Sequence, residues 1–199
     1  MTAILKVDTI QDTAGNNIIN ENANTITIGK SGDTVNLAAG ATNNLGITVA
    51  DNWRLSADTN SGTNGYVTSN WERNDNASYG SIGTGLTESS GIFSFPTTGI
   101  YLINTHASIV VVSGDTSVTL QLLTTIDNST YPTAIDMRSG NPGSSTTVCS
   151  ASGSYLFDVT DISLCKFRFY TDTFDTGTYL RGNTGQNRTH FTVIRLGDT

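Results

Sequence analysis

The residues that could catalyse a reaction are few and widely separated in this chain of 199 residues. Its two histidines, His106 and His190, lie in apolar, strand-like segments, and no Gly-x-Ser-x-Gly nucleophile motif is present. The Gly29-Lys30-Ser31 sequence would need a glycine in place of Asn24 to form a phosphate loop, so residues 29–32 are predicted to be a hairpin turn. We therefore predict histidines that are hydrogen-bonded in a core or an interface, no catalytic residue, and a protein that is not an enzyme.

Carboxylates are the groups most suited to binding a metal ion here, because calcium prefers oxygen ligands. Asp172 and Asp175 in YTDTFDTG are the calcium candidates, and Asp58 with Asn60 forms a second pair. Neither pair has the acidic density of a dedicated calcium loop, and the histidines and cysteines have no zinc-like spacing. We expect solvated turn carboxylates and no cofactor, with bound calcium as the alternative.

Aromatic side chains in turn-rich stretches could bind a ligand through their rings. The candidates are Trp53, Trp71, Tyr79, Tyr131 and Tyr179. An aromatic ring covers the apolar face of a sugar while neighbouring Asn and Asp side chains bind its hydroxyls. The tryptophans are interpreted as core residues, so Tyr131 and Tyr179, which are predicted to lie in loops, are the expected receptor contacts.

The composition predicts an all-β protein that does not bind nucleic acid. Thr, Asn, Ser and Gly make up 92 of the 199 residues, whereas Glu and Lys occur three times each, so strong helix formers are rare. The net charge is -7, and the basic residues are scattered instead of forming a stripe. No apolar run reaches the roughly 18 residues needed for membrane insertion. The N-terminus lacks the features of a signal peptide, which indicates synthesis in a cytosol and favours free thiols at Cys149 and Cys165 over a disulfide.

Residues from about 47 onward read as a series of strands separated by Gly, Asn, Asp and Ser turns. Many short strands without helical periodicity favour a β-sandwich over a fold of alternating strands and helices. The predicted strands are Trp53–Ala57, Tyr66–Glu72, Gly91–Phe95, Ile100–Val112, Ser117–Ile126, Thr146–Val159, Leu164–Thr171 and Arg188–Leu196.

The strand predicted over 100–112 carries apolar side chains on both faces. Its odd-numbered side chains, from Tyr101 to Val111, are almost all apolar and are predicted to fill the sandwich. The even-numbered side chains are apolar only near the two ends of the strand. Burial by another subunit would explain this second face, and a covering loop is the alternative. The predicted subunit interface consists of Ile100, Leu102, Val110, Val112, Ile194 and Leu196.

The segment GIFSFPTTGIYLI, residues 91–103, resembles the signature of the complement globular-head and tumour-necrosis-factor jelly rolls. In that signature an aromatic strand reaches a proline, turns at a glycine and continues through Ile-Tyr. The matching residues here are Phe93, Phe95, Pro96, Gly99, Ile100 and Tyr101. The final RTHFTVIRLGDT is similar to the terminal strand of that family. The resemblance implies a jelly-roll β-sandwich head over residues 45–199 that assembles as a homotrimer, with calcium sometimes bound near the trimer apex.

Residues 24–37, NTITIGKSGDTVNL, contain two short alternating runs with too few apolar side chains for a core of their own. With LKVDTIQDTAGNNII before them, they resemble the opening of bacteriophage tail-fibre and virion appendage proteins, marine and cyanobacterial ones in particular. The resemblance implies that residues 1–44 form a short β-rich segment for attachment and trimerisation that contacts other virion proteins. The contacts would come from Ile4, Val7, Ile10, Ile26, Ile28, Val35 and Leu37.

The two resemblances imply a non-enzymatic structural protein of a phage virion. It would be made in the cytoplasm of the host bacterium and displayed on the phage particle. Its trimeric head would adhere to a bacterial surface glycan or protein receptor. Two alternatives stay open: a capsid fibre or decoration protein without a receptor role, and a jelly-roll glycan hydrolase, which would need two carboxylates across a cleft.

Overall fold

The computed structural model describes residues 46–199, and all regular structure in this range is β-strand. Twelve strands follow one another: β1 (Ala50–Leu55), β2 (Gly65–Tyr66), β3 (Trp71–Arg73), β4 (Thr87–Ser89), β5 (Ile92–Ser94), β6 (Gly99–Val111), β7 (Val118–Thr125), β8 (Thr133–Ser139), β9 (Thr147–Val159), β10 (Lys166–Asp172), β11 (Tyr179–Leu180) and β12 (His190–Gly197). This part of the chain contains no helix that could cross a bilayer. The predicted attachment segment 1–44, with its seven contact residues and its hairpin turn, lies outside the described residues.

The strands form two antiparallel sheets. In the first sheet β9, β6, β12, β1 and β3 lie side by side, and β11 pairs with the far end of β6. The second sheet has the order β4, β5, β10, β7 and β8, with β2 also paired to β10. At Gly153 in β9, an added Cβ would lie 2.7 Å from the side chain of Ile135 in β8, so the two sheets approach closely at this edge. The predicted all-β sandwich is therefore confirmed.

Aromatic rings from both sheets fill the space between them. Phe93 of the second sheet lies 4.7 Å, centroid to centroid, from Phe191 of the first, and it stacks on Phe167 at 5.0 Å. Trp53 is buried in this core and Trp71 packs against it half-buried, as predicted. Such ring pairs add to the stability that burial of their area already provides.

The strand β6 confirms the prediction for residues 100–112. Every odd-numbered side chain from Tyr101 to Val111 is buried, because alternate residues of a strand point to the same face. The expected single strand over Tyr66–Glu72 is wrong: it divides into β2 and β3, since Asn70 adopts a left-handed conformation with φ of 66°. The strands β4, β8 and β11 were not among those predicted.

A buried carboxylate ties the loop between β3 and β4 to the sandwich. Asp51 accepts hydrogen bonds from Trp53 Nε1 at 3.0 Å and from the Tyr79 hydroxyl at 2.7 Å. It also accepts from the backbone N–H of Leu86 at 2.8 Å and from Nε of Arg73 at 3.1 Å. Burial raises the pKa of Tyr79, and the hydrogen bond to Asp51 raises it further. The side chain of Asp51 is fully buried, and within residues 46–199 the N–H groups of Trp53 Nε1 and Leu86 have no other acceptor.

Both cysteines carry free thiols. Cys165 is completely buried on the same side as Phe167 and Phe169, which is the position predicted for it. Cys149 is half-buried in β9, and its Sγ lies 3.5 Å from the carbonyl oxygen of Gly140.

Candidate functional site

The outward face of β9, β6 and β12, which we call the outer face, carries an apolar row at one end. The strand registers place Leu156 beside Leu102 and Leu102 beside Ile194. Leu156 is 60% exposed, and Leu196, at the bulge near the end of β12, is 53% exposed. Cross-strand neighbours of this kind form a continuous patch, so this end of the outer face is an apolar surface open to a partner.

The middle of the outer face is polar. The next row along the strands contains Ser154, Asn104 and Thr192, and the Ser154 hydroxyl donates to Oδ1 of Asn104 at 2.7 Å. The row after it contains His106 and His190, whose ring centroids are 5.3 Å apart. This sequence of rows accounts for the apolar ends and polar centre of the even-numbered face of β6.

The two histidines are not core residues, since both lie half-buried on the outer face. Burial lowers the pKa of His190, and the neighbouring His106 lowers it further, whereas the bond to the Arg188 carbonyl opposes the shift. On the β1 side, His190 pairs in register with Arg54, a buried cation. Burial is therefore the main cause that disfavours protonation of His190.

The β1 edge of the outer face is closed by the protein's own loops. The Arg54 side chain is completely buried, with Nε 2.7 Å from Glu72 and a terminal nitrogen 2.6 Å from Asp75. Beside it, Asn52 accepts hydrogen bonds from the side-chain amides of Asn74 and Asn187 at 3.0 and 2.9 Å. Side chains of β3 and of the loops thus cover β1, and the surface that stays open spans β9, β6 and β12.

The second apolar end of the outer face brings together residues from three strands. Val110 of β6 pairs with Val148 of β9 on one side and with Tyr179 of β11 on the other. Val148 is 51% exposed. The prediction that Tyr179 lies in a loop is wrong, because it belongs to a short strand on this sheet. Val112 follows the end of β6, half-buried against Gly177.

The structure brings together most of the predicted interface residues. Leu102, Val110 and Ile194 lie on the outer face, Ile100 lies one step beyond the first apolar row, and Val112 and Leu196 lie close to its two ends. Sequence reasoning missed Leu156 and Val148. Their strand was predicted, but its remaining outward residues are mostly serines, so the pattern did not single out an apolar face.

On the second sheet, Tyr131 belongs to a stack of three side chains. The guanidinium carbon of Arg168 lies 3.8 Å from the centroid of the Tyr131 ring and 3.6 Å from that of Tyr66. Two rings therefore enclose the guanidinium in a cation–π arrangement. Nε of Arg168 is buried, and it has no hydrogen-bond partner among residues 46–199. Burial raises the pKa of Tyr131, while the charge of Arg168 acts in the opposite direction.

A polar groove of about 330 Å³ adjoins Tyr66. One wall is the loop before β2 and the other is the turn between β2 and β3. Its lining residues are Thr59, Asn60, Thr63, Tyr66, Val67, Thr68, Ser69, Asn70 and Thr171. A second cavity, of about 660 Å³, lies at the start of the described residues and is lined in part by Arg195 and Asp198.

Of the calcium candidates, Asp172 is the last residue of β10 and Asp175 lies in the turn that follows. Oδ1 of Asp172 accepts the backbone N–H of Thr173 at 2.9 Å, whereas the exposed Asp175 donates its own N–H to the buried Asp115 carboxylate at 3.2 Å. Asp58 accepts the N–H of Gly182 at 2.8 Å. Within residues 46–199 no group of three or more His, Cys, Asp or Glu side chains is arranged to hold a metal ion.

No protein-family model matches this chain, and no curated protein sequence does. Among solved structures, Eiger TNF from S. frugiperda is similar with a TM-score of 0.58 and 12% identity, covering 77% of this chain and 95% of that chain. Murine APRIL is similar with a TM-score of 0.54 and 13% identity, covering 74% of this chain and 98% of that chain. At such low identity the likeness shows the fold alone. The described residues form a tumour-necrosis-factor-like jelly-roll sandwich, as the segment around Phe93 and Tyr101 predicted.

Proposed function

We propose that this chain is a non-enzymatic structural protein of a bacteriophage virion, and that it works as a homotrimer. The jelly-roll head, residues 45–199, recognises the surface of the host bacterium. Residues 1–44 attach it to other virion proteins. The virion assignment is supported by the sequence resemblance of the N-terminal segment to phage appendage proteins.

The observation that carries the proposal is the outer face of the first sheet. Its two apolar ends leave Leu156, Leu196 and Val148 more than half exposed, although strands of a sandwich normally present polar residues to solvent. Exposed apolar patches on a soluble domain mark surfaces that bind another protein. A second and third copy of the same chain would cover both ends while the polar rows between them form hydrogen bonds across the interface.

The experiment that tests this proposal is the solution mass by light scattering, for the full chain and for a version that begins at Leu45. Three times the monomer mass for both supports assembly through the head. A trimeric full chain with a monomeric short version would assign trimerisation to residues 1–44. Monomers in both cases would overturn the proposed assembly and leave the outer face without a partner copy.

A capsid fibre or decoration protein without a receptor role is the second candidate. Both candidates are trimers attached to the virion, so they differ only in where the chain lies on the phage particle. Labelling the chain on intact phage particles and imaging them distinguishes tail from capsid.

The structure offers little support for a glycan hydrolase. Such an enzyme needs two carboxylates facing each other across the substrate. The groove beside Tyr66 has no carboxylate in its lining, and the larger cavity has only that of Asp198. Incubating the protein with host-envelope polysaccharide in the presence of calcium, and measuring new reducing ends, tests this alternative directly.

A further inference from the structure

The walls of the groove beside Tyr66 are fixed by hydrogen bonds to both sheets. In one wall, the N–H of Thr59 donates to Leu180 of the first sheet at 3.0 Å. In the opposite wall, the carbonyl of Val67 accepts from Nε1 of Trp71 at 3.0 Å. The N–H of Val67 donates to the carbonyl of Phe169 in the second sheet at 3.0 Å. A site whose walls are held in this way is formed before a ligand arrives, which reduces the entropy lost on binding.

Asn70 lines the groove in the turn between β2 and β3. Its left-handed conformation, with φ of 66°, turns the chain so that its carbonyl accepts from both the N–H and the hydroxyl of Ser56, at 2.8 and 3.0 Å. Its side-chain amide donates to the carbonyl of Asp58 at 3.4 Å. Asn tolerates this conformation better than most residues, so the turn links the two walls of the groove.

The lining is uncharged and rich in groups that both donate and accept hydrogen bonds. The side chains of Asn60, Thr63, Thr68 and Ser69 form no hydrogen bond with another residue in the described part of the chain. Hydroxyl and amide groups match the hydroxyls of a sugar, each of which also donates and accepts. An anionic ligand would lose its hydration there without gaining a cation in the lining, so the groove favours a neutral ligand.

Tyr66 supplies the apolar part of the site. The side chain is 46% exposed and lines the groove, and the Arg168 guanidinium covers one face of its ring. Contact with Tyr170, edge to face at 5.2 Å, fixes the ring from a second direction. The rest of the ring is left for contact with a ligand, and the apolar C–H face of a sugar is complementary to it.

We propose that this groove binds a neutral sugar unit of a bacterial surface glycan. The proposal rests on the proposed function, because it names the chemical class of the receptor. The volume of about 330 Å³ lies at the small end of the range for ligand sites, which suits a short stretch of a polysaccharide in place of a whole folded partner.

The experiment measures binding of the tagged full chain to a microarray of purified bacterial surface polysaccharides, both neutral and acidic. The neutral polysaccharide with the strongest signal is then titrated against variants. Tyr66→Ala removes the ring, and Ser69→Trp fills the groove from an exposed position. The matched control is Ser144→Trp, at an exposed serine in the β8–β9 loop.

We expect wild type to bind neutral polysaccharides, Tyr66→Ala to bind about tenfold more weakly, and Ser69→Trp to show no binding. Ser144→Trp should bind like wild type, and light scattering should give one mass for all variants. Two results would overturn the inference: no binding to any neutral polysaccharide, including binding restricted to acidic ones, or binding to a neutral polysaccharide that survives both groove variants.

The mass and the binding results report on different proposals. A trimer that binds no neutral polysaccharide refutes the sugar site and leaves the assembly intact. A monomer that binds a neutral polysaccharide through the groove refutes the assembly and leaves the sugar site intact.

Discussion

Replacing Leu156 with lysine is the most direct perturbation of the outer face. Leu156 occupies the edge of the first apolar row, beside Leu102 in register, and 60% of its surface is exposed. In the proposed trimer that surface is covered by a neighbouring subunit. A lysine keeps a long side chain at the position but places an ammonium group in the apolar row, where losing its hydration is costly.

The size of the effect follows from the exposed area. Burying a whole leucine side chain is worth roughly 1.5–3 kcal/mol, so covering the remaining three-fifths is worth about 1–2 kcal/mol per subunit. Three copies give about 3–5 kcal/mol per trimer, which is about two to four orders of magnitude in the association constant. The midpoint concentration of a monomer–trimer equilibrium varies with the square root of that constant. It should therefore rise about ten- to a hundredfold.

The assay is light scattering of the full chain over a dilution series, with near-ultraviolet circular dichroism to check that the core is intact. The control is Ile126→Lys, which changes a side chain that is 70% exposed in the β7–β8 turn, away from the outer face. We expect Ile126→Lys to dissociate at the same concentration as wild type. If Leu156→Lys also does so with an unchanged spectrum, the outer face is not the subunit interface.

Two further predictions concern stability. Asp51→Asn leaves at least two buried donors without an acceptor, so the free energy of unfolding, measured by urea titration with tryptophan fluorescence, should fall by about 3–5 kcal/mol. The exposed control Asp58→Asn should lose far less, and equal losses would contradict the role given to the Asp51 carboxylate. Burial lowers the pKa of His190 in the folded chain, so below about pH 6.5 the unfolded chain binds protons more readily and stability falls as the solution is acidified. His190→Gln should reduce this dependence in urea titrations from pH 8 to pH 5, and parallel pH profiles for the two proteins would refute the assignment.

The sequence predicted the long strands because their pattern repeats over many residues. In β6 the alternation between Tyr101 and Val111 leaves one register that buries every odd-numbered side chain. The strands that it did not predict carry little signal. The strand β11 has two residues, β4 has three, and β8 includes Asp136 and Arg138, whose ion pair at 2.7 Å lies in solvent-facing positions.

The groove could not be found from the sequence for a related reason. Its lining consists mostly of Thr, Ser and Asn, and these residue types occur throughout the chain. Thr68 and Ser69 differ from other hydroxyl residues because they face the loop around Asn60 across the groove. No short-range sequence pattern shows that these two segments lie close together. Tyr131 was predicted as a receptor contact because it is an aromatic residue in a turn. The ring that lines the groove belongs instead to Tyr66, which lies in a strand.

The position of β12 in the first sheet determines when this sheet can finish folding. It is the last of the twelve strands in chain order, yet it lies between β6 and β1 and hydrogen-bonds to both. As the polypeptide leaves the ribosome, β1 can pair with β3 and β6 with β9, but the strand that lies between β1 and β6 is still missing. Closure must wait for residues 190–197, and contacts between such distant segments form slowly. Until then the backbone edges of β1 and β6 that β12 will occupy stay unpaired, so at this stage the nascent chain is open to pairing with other strands at these edges.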